Sequence, residues 1–255
     1  MKLLDKVGRY PFLAEPFHCD FSQRLLLGHL GNHLLNAADY HSNDRGFGVK
    51  HLLTINRAWV ISRLAIEMDE MPEMYARFNV ETWVESAMRY FTNRNFRIVG
   101  ATEAGEKVYG YGRSIWAMIN TETRQPCNIL DVNDGDLLRW VEKDRVNPMD
   151  RLTRVKMDNN TELVRSIDTY YNDVDINGHI NSVKYIEHVL DLWPIDWYRN
   201  HRIRRFDIAY VAECYQGDRL SFYREQTADN EYCVRICKDG DIETCRSKVV
   251  FTSPQ

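Results

Sequence analysis

Asp173, Asp175, Asn177 and His179 stand at alternate positions in the run Asp-Val-Asp-Ile-Asn-Gly-His-Ile-Asn-Ser-Val-Lys-Tyr-Ile over residues 173–186. All four side chains can hydrogen-bond, and the carboxylates and the imidazole can also move protons. Before them lies Val164 to Tyr171, rich in β-branched and aromatic residues and so strand-like. After them come Ile180, Val183, Ile186, Val189 and Leu190, an apolar pattern of helical period. A strand-to-loop-to-helix passage collects unpaired backbone N–H groups at the helix start. Amides near Gly178 and His179 would then face an oxygen that gains negative charge, as acyl chemistry requires. A plain structural turn explains the same letters, with Asn177 capping a helix that starts near Gly178. The loop by itself leaves both readings open.

A calcium loop shares part of this pattern, since Asp173, Asp175, Asn177 and Gly178 occupy its first, third, fifth and sixth places. Two features argue against it. The twelfth place, which should hold a chelating Glu, is Lys184. The preceding segment also reads as a strand where a calcium loop needs a helix.

The elements that must position these residues recur in the same order on either side of a polar stretch at 142–162. The first half has a strand-like Phe12–Cys19 and a helical stripe of Leu27, Leu30, Leu34, Leu35 and Ala38. Strand-like Ala58–Met68, Tyr75–Val84, Asn93–Val99 and Val108–Ile119 follow. The second half has the strand at 164–171, the helix, and strands near 204–214, 218–226, 231–237 and 245–252. We place the boundary between domains 1–145 and 146–255. Gly28-His29-Leu30 echoes Gly178-His179-Ile180. In that alignment Leu25 and Leu27 stand where the second copy has Asp175 and Asn177, so the first half would bind something apolar while the second does chemistry. One helix followed by long antiparallel strands gives an α+β class, with each sheet wrapped around its helix. Edge-to-edge pairing would cover the sheets' open edges.

Composition narrows the function classes. The chain has 255 residues, 44% hydrophobic, with a net charge of -4. A core of useful size is affordable, and no basic field argues for nucleic acid. No run approaches the ~18 apolar residues of a membrane span, and Met1–Lys6 resembles neither a secretory signal nor a transit peptide. The six cysteines contain no CxxC pair, which suits reduced thiols in a cytoplasm. Asn159-Asn160-Thr161 matches a glycosylation acceptor by its letters only. Neither a metal nor a cofactor is expected.

With these motifs in hand, the chain resembles the acyl-acyl-carrier-protein thioesterases of plants and bacteria. Residues 173–186 are similar to that family's Asp-Leu-Asp-Val-Asn-Gln-His-Val-Asn-Asn-Val-Lys-Tyr-Ile, with Gly178 for Gln and Ser182 for Asn. Glu213-Cys214 resembles a family Glu-Cys pair. Trp59-Val-Ile-Ser-Arg63, Val80-Glu-Thr-Trp83 and Trp116 to Arg124 look like first-half segments of the family. The resemblance implies a double hot-dog fold and hydrolysis of an acyl thioester carried on the phosphopantetheine of an acyl carrier protein. It also implies that Asp175, Asn177, His179 and Glu213 act together. Plant members carry transit peptides, so the expectation is a bacterial cytoplasmic protein, without membrane or nucleic-acid partners. Its oligomeric state, including a homodimer, stays open.

Cys214 competes with Glu213, because Cys, His and Asn also form a covalent triad. If both lie on a regular strand they point to opposite faces, and we expect Glu213 to activate water while Cys214 packs as a small hydrophobe. Trp59, Arg63 and Trp83 are the candidates for acyl binding, although residue by residue ordinary core packing explains the apolar ones better. Arg202, Arg204 and Arg205 are the candidates for docking an acidic carrier protein, against a solvated basic face. Action on coenzyme A thioesters and acyl binding without catalysis are the alternatives.

Overall fold

The structure is a computed structural model and describes residues 4–103, 105–157 and 161–253. Asn159 and Asn160 of the acceptor triplet, and part of the polar stretch at 142–162, lie outside the described residues. The chain divides into two units: Met1–Ser62 with Asp69–Arg151, and Arg63–Met68 with Leu152–Gln255.

The first unit contains strands β1 (Gly8–Leu13), β3 (Arg77–Ala87), β4 (Phe91–Thr102) and β5 (Gly105–Asn120), hydrogen-bonded in the order β1-β3-β4-β5. The pairs β1–β3, β3–β4 and β4–β5 are antiparallel. Strand β2 (Arg57–Met68) gives this unit its first half. Helix α1 (Leu27–Asn43) buries Leu27, Leu30, Leu34, Ala37 and Ala38 on one stripe and packs on β1 and β3. Strands β3 and β4 bury Phe78, Val80, Trp83, Phe96 and Ile98, all at most 1% exposed. A second apolar cluster joins Phe47, Leu52, Met118, Ile129, Val132 and Leu137. It seats the short helix α2 (Val49–Leu53) against the 3-10 turns of Ile129–Trp140, none of which the periodicity predicts. The first strand ends at Leu13 rather than Cys19. Pro16 fixes its own φ and starts a 3-10 turn, Pro16–His18, so the chain bends where hydrophobicity suggested extension.

The second unit contains β6 (Glu162–Asp168), β7 (Arg202–Tyr210), β8 (Arg219–Ala228), β9 (Glu231–Lys238) and β10 (Ile242–Thr252), in the order β7-β10-β9-β8-β6. The second half of β2 pairs antiparallel with β7, from Arg63 opposite Ala209 to Glu67 opposite Arg205. Helix α3 (Ser182–Leu190) buries Val183, Tyr185, Ile186 and Val189. The Tyr210 hydroxyl of β7 donates to the Ser182 carbonyl at 2.8 Å and ties the helix start to the sheet. Pro194 then opens helix α4 (Ile195–Asn200), whose Trp197 packs edge-on against Tyr232 and Phe251.

Candidate active site

Helix α3 begins at Ser182, later than the letters suggest. Its N-cap is Asn181, whose side-chain oxygen accepts from the Val183 amide at 3.0 Å. Residues 175–180 form a closed turn ahead of the helix. Asp175 and His179 bond through Asp175 N–H to the His179 carbonyl at 2.8 Å, and Gly178 N–H donates to the Asp175 carbonyl at 3.0 Å. The Asp175 carboxylate accepts from the Asn177 amide at 2.8 Å and the His179 amide at 3.4 Å. The amides of Asn177, Gly178 and His179 therefore all point inward. This corrects the expectation that helix-start amides near Gly178 and His179 face a developing oxyanion: the Asp175 side chain and carbonyl have taken them. Gly178 sits at φ +79 with nothing near a Cβ added there, so backbone conformation is what favours glycine.

The same turn occurs in the first unit, in a register the letters did not suggest. Asp20 N–H donates to the Arg24 carbonyl at 2.9 Å, Gln23 N–H to the Asp20 carbonyl at 2.9 Å, and the Asp20 carboxylate accepts from Ser22 N–H at 2.8 Å. Leu25 N–H reaches the Pro72 carbonyl as Ile180 N–H reaches that of Cys214. Thus Asp20, Ser22 and Arg24 correspond to Asp175, Asn177 and His179, and Leu25 to Ile180. The first half has kept the polar turn; it was not replaced by Leu25 and Leu27. Arg24 there is consumed by Glu70 at 2.9 Å and Glu73 at 3.1 Å. Met71, just before Pro72, takes the place of Glu213.

Glu213 and Cys214 lie in the connection after β7, which ends at Tyr210, and not on a regular strand. Their side chains nevertheless diverge. Glu213 Oε2 is 3.5 Å from His179 Nε2, the two side chains being 36% and 21% exposed. Cys214 is fully buried, beside Tyr185 and Thr244, and burial pushes its thiol up. The contacts among the expected residues are His179 with Glu213 and Asp175 with Asn177 and the His179 amide. The Asn177 side-chain amide lies 3.5 Å from Asp175 Oδ2 and is solvent-exposed. Asp173 is engaged elsewhere: its carboxylate accepts from Tyr170 N–H at 2.8 Å and meets His188 Nε2 at 3.1 Å.

Two neighbours escaped the sequence reading. The Tyr215 hydroxyl is 3.5 Å from Glu213 Oε2, and its ring stands edge-on to His179 at 5.1 Å. Lys238 donates to the Glu213 carbonyl at 2.9 Å and approaches Asp218 at 3.5 Å. Tyr215 lies two residues past the Glu-Cys pair and was within reach of inspection. Lys238 arrives from the end of β9, and no local pattern signals it.

The remaining candidates are dispersed. Trp59 donates its indole N–H to the Phe47 carbonyl at 2.9 Å and packs on the second apolar cluster. Trp83 is wholly buried with the Arg145 guanidinium 4.9 Å over its ring. Arg63 belongs to the second unit. Of the basic trio, Arg204 pairs with Glu67 at 3.1 Å, and Arg205 pairs with Glu67 at 2.9 Å and Asp207 at 2.8 Å. Arg202 is exposed.

An antiparallel sheet with a helix laid on it, in two successive units, and a His–carboxylate pair beside a tight turn describe a thioesterase-like hot-dog protein. The Acyl-ACP thioesterase N-terminal domain model matches residues 10–133, and the C-terminal domain model residues 156–250. A crystal structure of an acyl-ACP thioesterase from Bacteroides thetaiotaomicron VPI-5482 is 49% identical, with a TM-score of 0.89 over 97% of this chain and 98% of that one. The 12:0-ACP thioesterase from Umbellularia californica shares the fold, with a TM-score of 0.85 at 20% identity over 100% of both chains. A chloroplastic palmitoyl-acyl carrier protein thioesterase of Gossypium hirsutum is 28% identical over 80% of this chain and 51% of its own length. The chain belongs to the acyl-ACP thioesterase family and has its double hot-dog fold. It spans about half the length of the first plant relatives it matches.

Proposed function

We propose that the protein hydrolyses acyl thioesters borne on the phosphopantetheine of an acyl carrier protein, releasing the free fatty acid. The approach of Glu213 Oε2 to His179 Nε2, 3.5 Å apart, carries this reading. Together they take a proton from water as its oxygen bonds to the thioester carbon. The carbon–sulfur bond then breaks, and the pantetheine sulfur leaves with that proton, relayed through His179. Atoms balance as thioester plus water giving carboxylic acid plus thiol. With the turn amides occupied by Asp175, the side-chain amide of Asn177 is the remaining donor of the quartet for the oxyanion. Asp175 positions Asn177 and His179 and does not touch the reacting atoms, a role supported by Asp20 holding the same turn beside the ion-paired Arg24. Trp59, Trp83 and Arg63 are the residues to probe for acyl binding.

Cys214 is the competing nucleophile, and its burial weighs against it. A covalent route needs a thiolate, which a raised thiol pKa disfavours at neutral pH. Assay of the purified protein against matched acyl-carrier-protein and acyl-coenzyme A substrates tests the proposal. Faster release from the carrier protein is expected. Acyl binding without release of acid would overturn it, and equal or faster turnover of coenzyme A thioesters would move the substrate to coenzyme A.

A further inference from the structure

The register that relates the two polar turns also pairs His18 with Asp173 and His33 with His188, and here the units differ in chemistry. In the second unit Asp173 and His188 form a closed carboxylate–imidazole pair at 3.1 Å. In the first, both positions are imidazoles, and Glu15 stands where the second unit has Tyr170. Glu15 Oε2 is 3.1 Å from His18 Nδ1 and 3.9 Å from His33 Nε2. One ligand atom from each of the three residues lies within 4.8 Å of the others.

We propose that Glu15, His18 and His33 form a binding site for a divalent transition-metal ion of the zinc or cobalt class. Two imidazoles and one carboxylate suit such ions and not calcium or magnesium, which take oxygen ligands. Bonds of about 2.1 Å around a tetrahedral ion place ligand atoms ~3.4 Å apart, between the two separations from Glu15. His33 Nε2 is buried and has no hydrogen-bond partner, 3.9 Å being too long for a bond to Glu15. An ion drawn between the three groups gives that nitrogen a partner. The Phe12 ring, 4.5 Å from His33, limits how the imidazole can turn. Glu15 and His18, at 42% and 39% exposed, leave an entry path and an open coordination position. His29 lies one helical turn before His33 on α1, and its ring stacks on His18 at 4.0 Å, which holds the His18 imidazole in place. The ion would staple the 3-10 turn to α1. This proposal does not rest on the thioesterase reading.

The test uses the full chain, freed of metal with a chelator and titrated with Co2+ while visible absorption is followed. One equivalent should produce ligand-field bands that Zn2+ displaces, and Zn2+ should raise the thermal midpoint. His33→Asn and Glu15→Gln should each weaken Co2+ binding by at least about 100-fold, the upper end for losing mere support of a ligand, and abolish the Zn2+ shift. Glu15 is partly exposed, so Glu15→Gln keeps the test decisive should His33→Asn fail to fold. Thioester turnover by Glu15→Gln should match wild type. No ligand-field bands in the wild type, undiminished binding in Glu15→Gln, or bands dominated by sulfur-to-cobalt charge transfer would each overturn the proposal.

Discussion

Glu213 and Cys214 are adjacent in the chain but occupy opposite environments, and that contrast sets the sharpest prediction. Glu213→Gln should lower kcat on an acyl-carrier-protein substrate by about 10²–10⁴-fold, the usual range for a general base. Cys214→Ser should retain at least a tenth of wild-type turnover. Rapid-quench mass spectrometry that trapped an acyl group on Cys214 would reverse these roles. The letters Asp-x-Asp-x-Asn-x-His were visible at once, yet their division of labour was not. Asp173 is spent on Tyr170 and His188, and Asp175 on backbone amides, so the proposed mechanism assigns contact with substrate to Asn177, His179 and Glu213. Gly178 adds a conformational prediction. Gly178→Ala must hold φ near +79 with no new contact, so it should destabilise the protein by about 1 kcal/mol in urea unfolding, and Gly178→Asn by less. Equal stability of all three would mean that the turn relaxes freely.

At the scale of elements, helix α1 ends on a buried histidine. His41 Nε2 donates to the Lys6 carbonyl at 2.9 Å, and burial, helped by Arg94 and Arg45, pushes its pKa from 6.5 to about 2. The unfolded chain therefore binds a proton below pH 6.5 that the folded protein refuses until about pH 2. Stability from this group is present above pH 6.5 and falls as the solution is acidified through that window, by about 1.4 kcal/mol per pH unit. Urea unfolding at pH 7 and pH 5.5 should show His41→Gln losing about 1 kcal/mol less than wild type between the two. Identical losses would place His41 in contact with solvent. The hydrophobic pattern found α1 and its buried stripe, but the stripe says nothing of a polar residue buried at the helix end.

At the scale of the whole molecule, the ion pairs decide which substitution can report on the proposed recognition of an acidic carrier protein. Arg205 is bonded to Glu67 and Asp207, so reversing it disturbs β2 and β7 as well as any docking face. Arg202 is the cleaner probe. Arg202→Glu should raise KM for an acyl-carrier-protein substrate severalfold with kcat unchanged, and the effect should fade as salt screens the attraction. An unchanged KM at low salt would remove this residue from docking. Among the described residues, no helix is long and apolar enough to cross a membrane.

The sequence by itself determined the family, the α+β class and the order of the strands with helices α1 and α3, because alternation, helical period and the run at 173–186 are local properties of the chain. It could not fix where α3 begins, since Asn177 and Asn181 are both good caps and only the closed turn held by Asp175 selects the second. Nor could it align the two halves: the eye matched Gly-His, whereas hydrogen bonding matches Asp20 to Asp175 and Arg24 to His179. Tertiary structure alone brought Glu213 to His179 from the far side of β7, and gathered Glu15, His18 and His33 at one point. Side chains meet according to how backbone amides are satisfied and apolar faces are buried, and both are settled by partners distant in the chain.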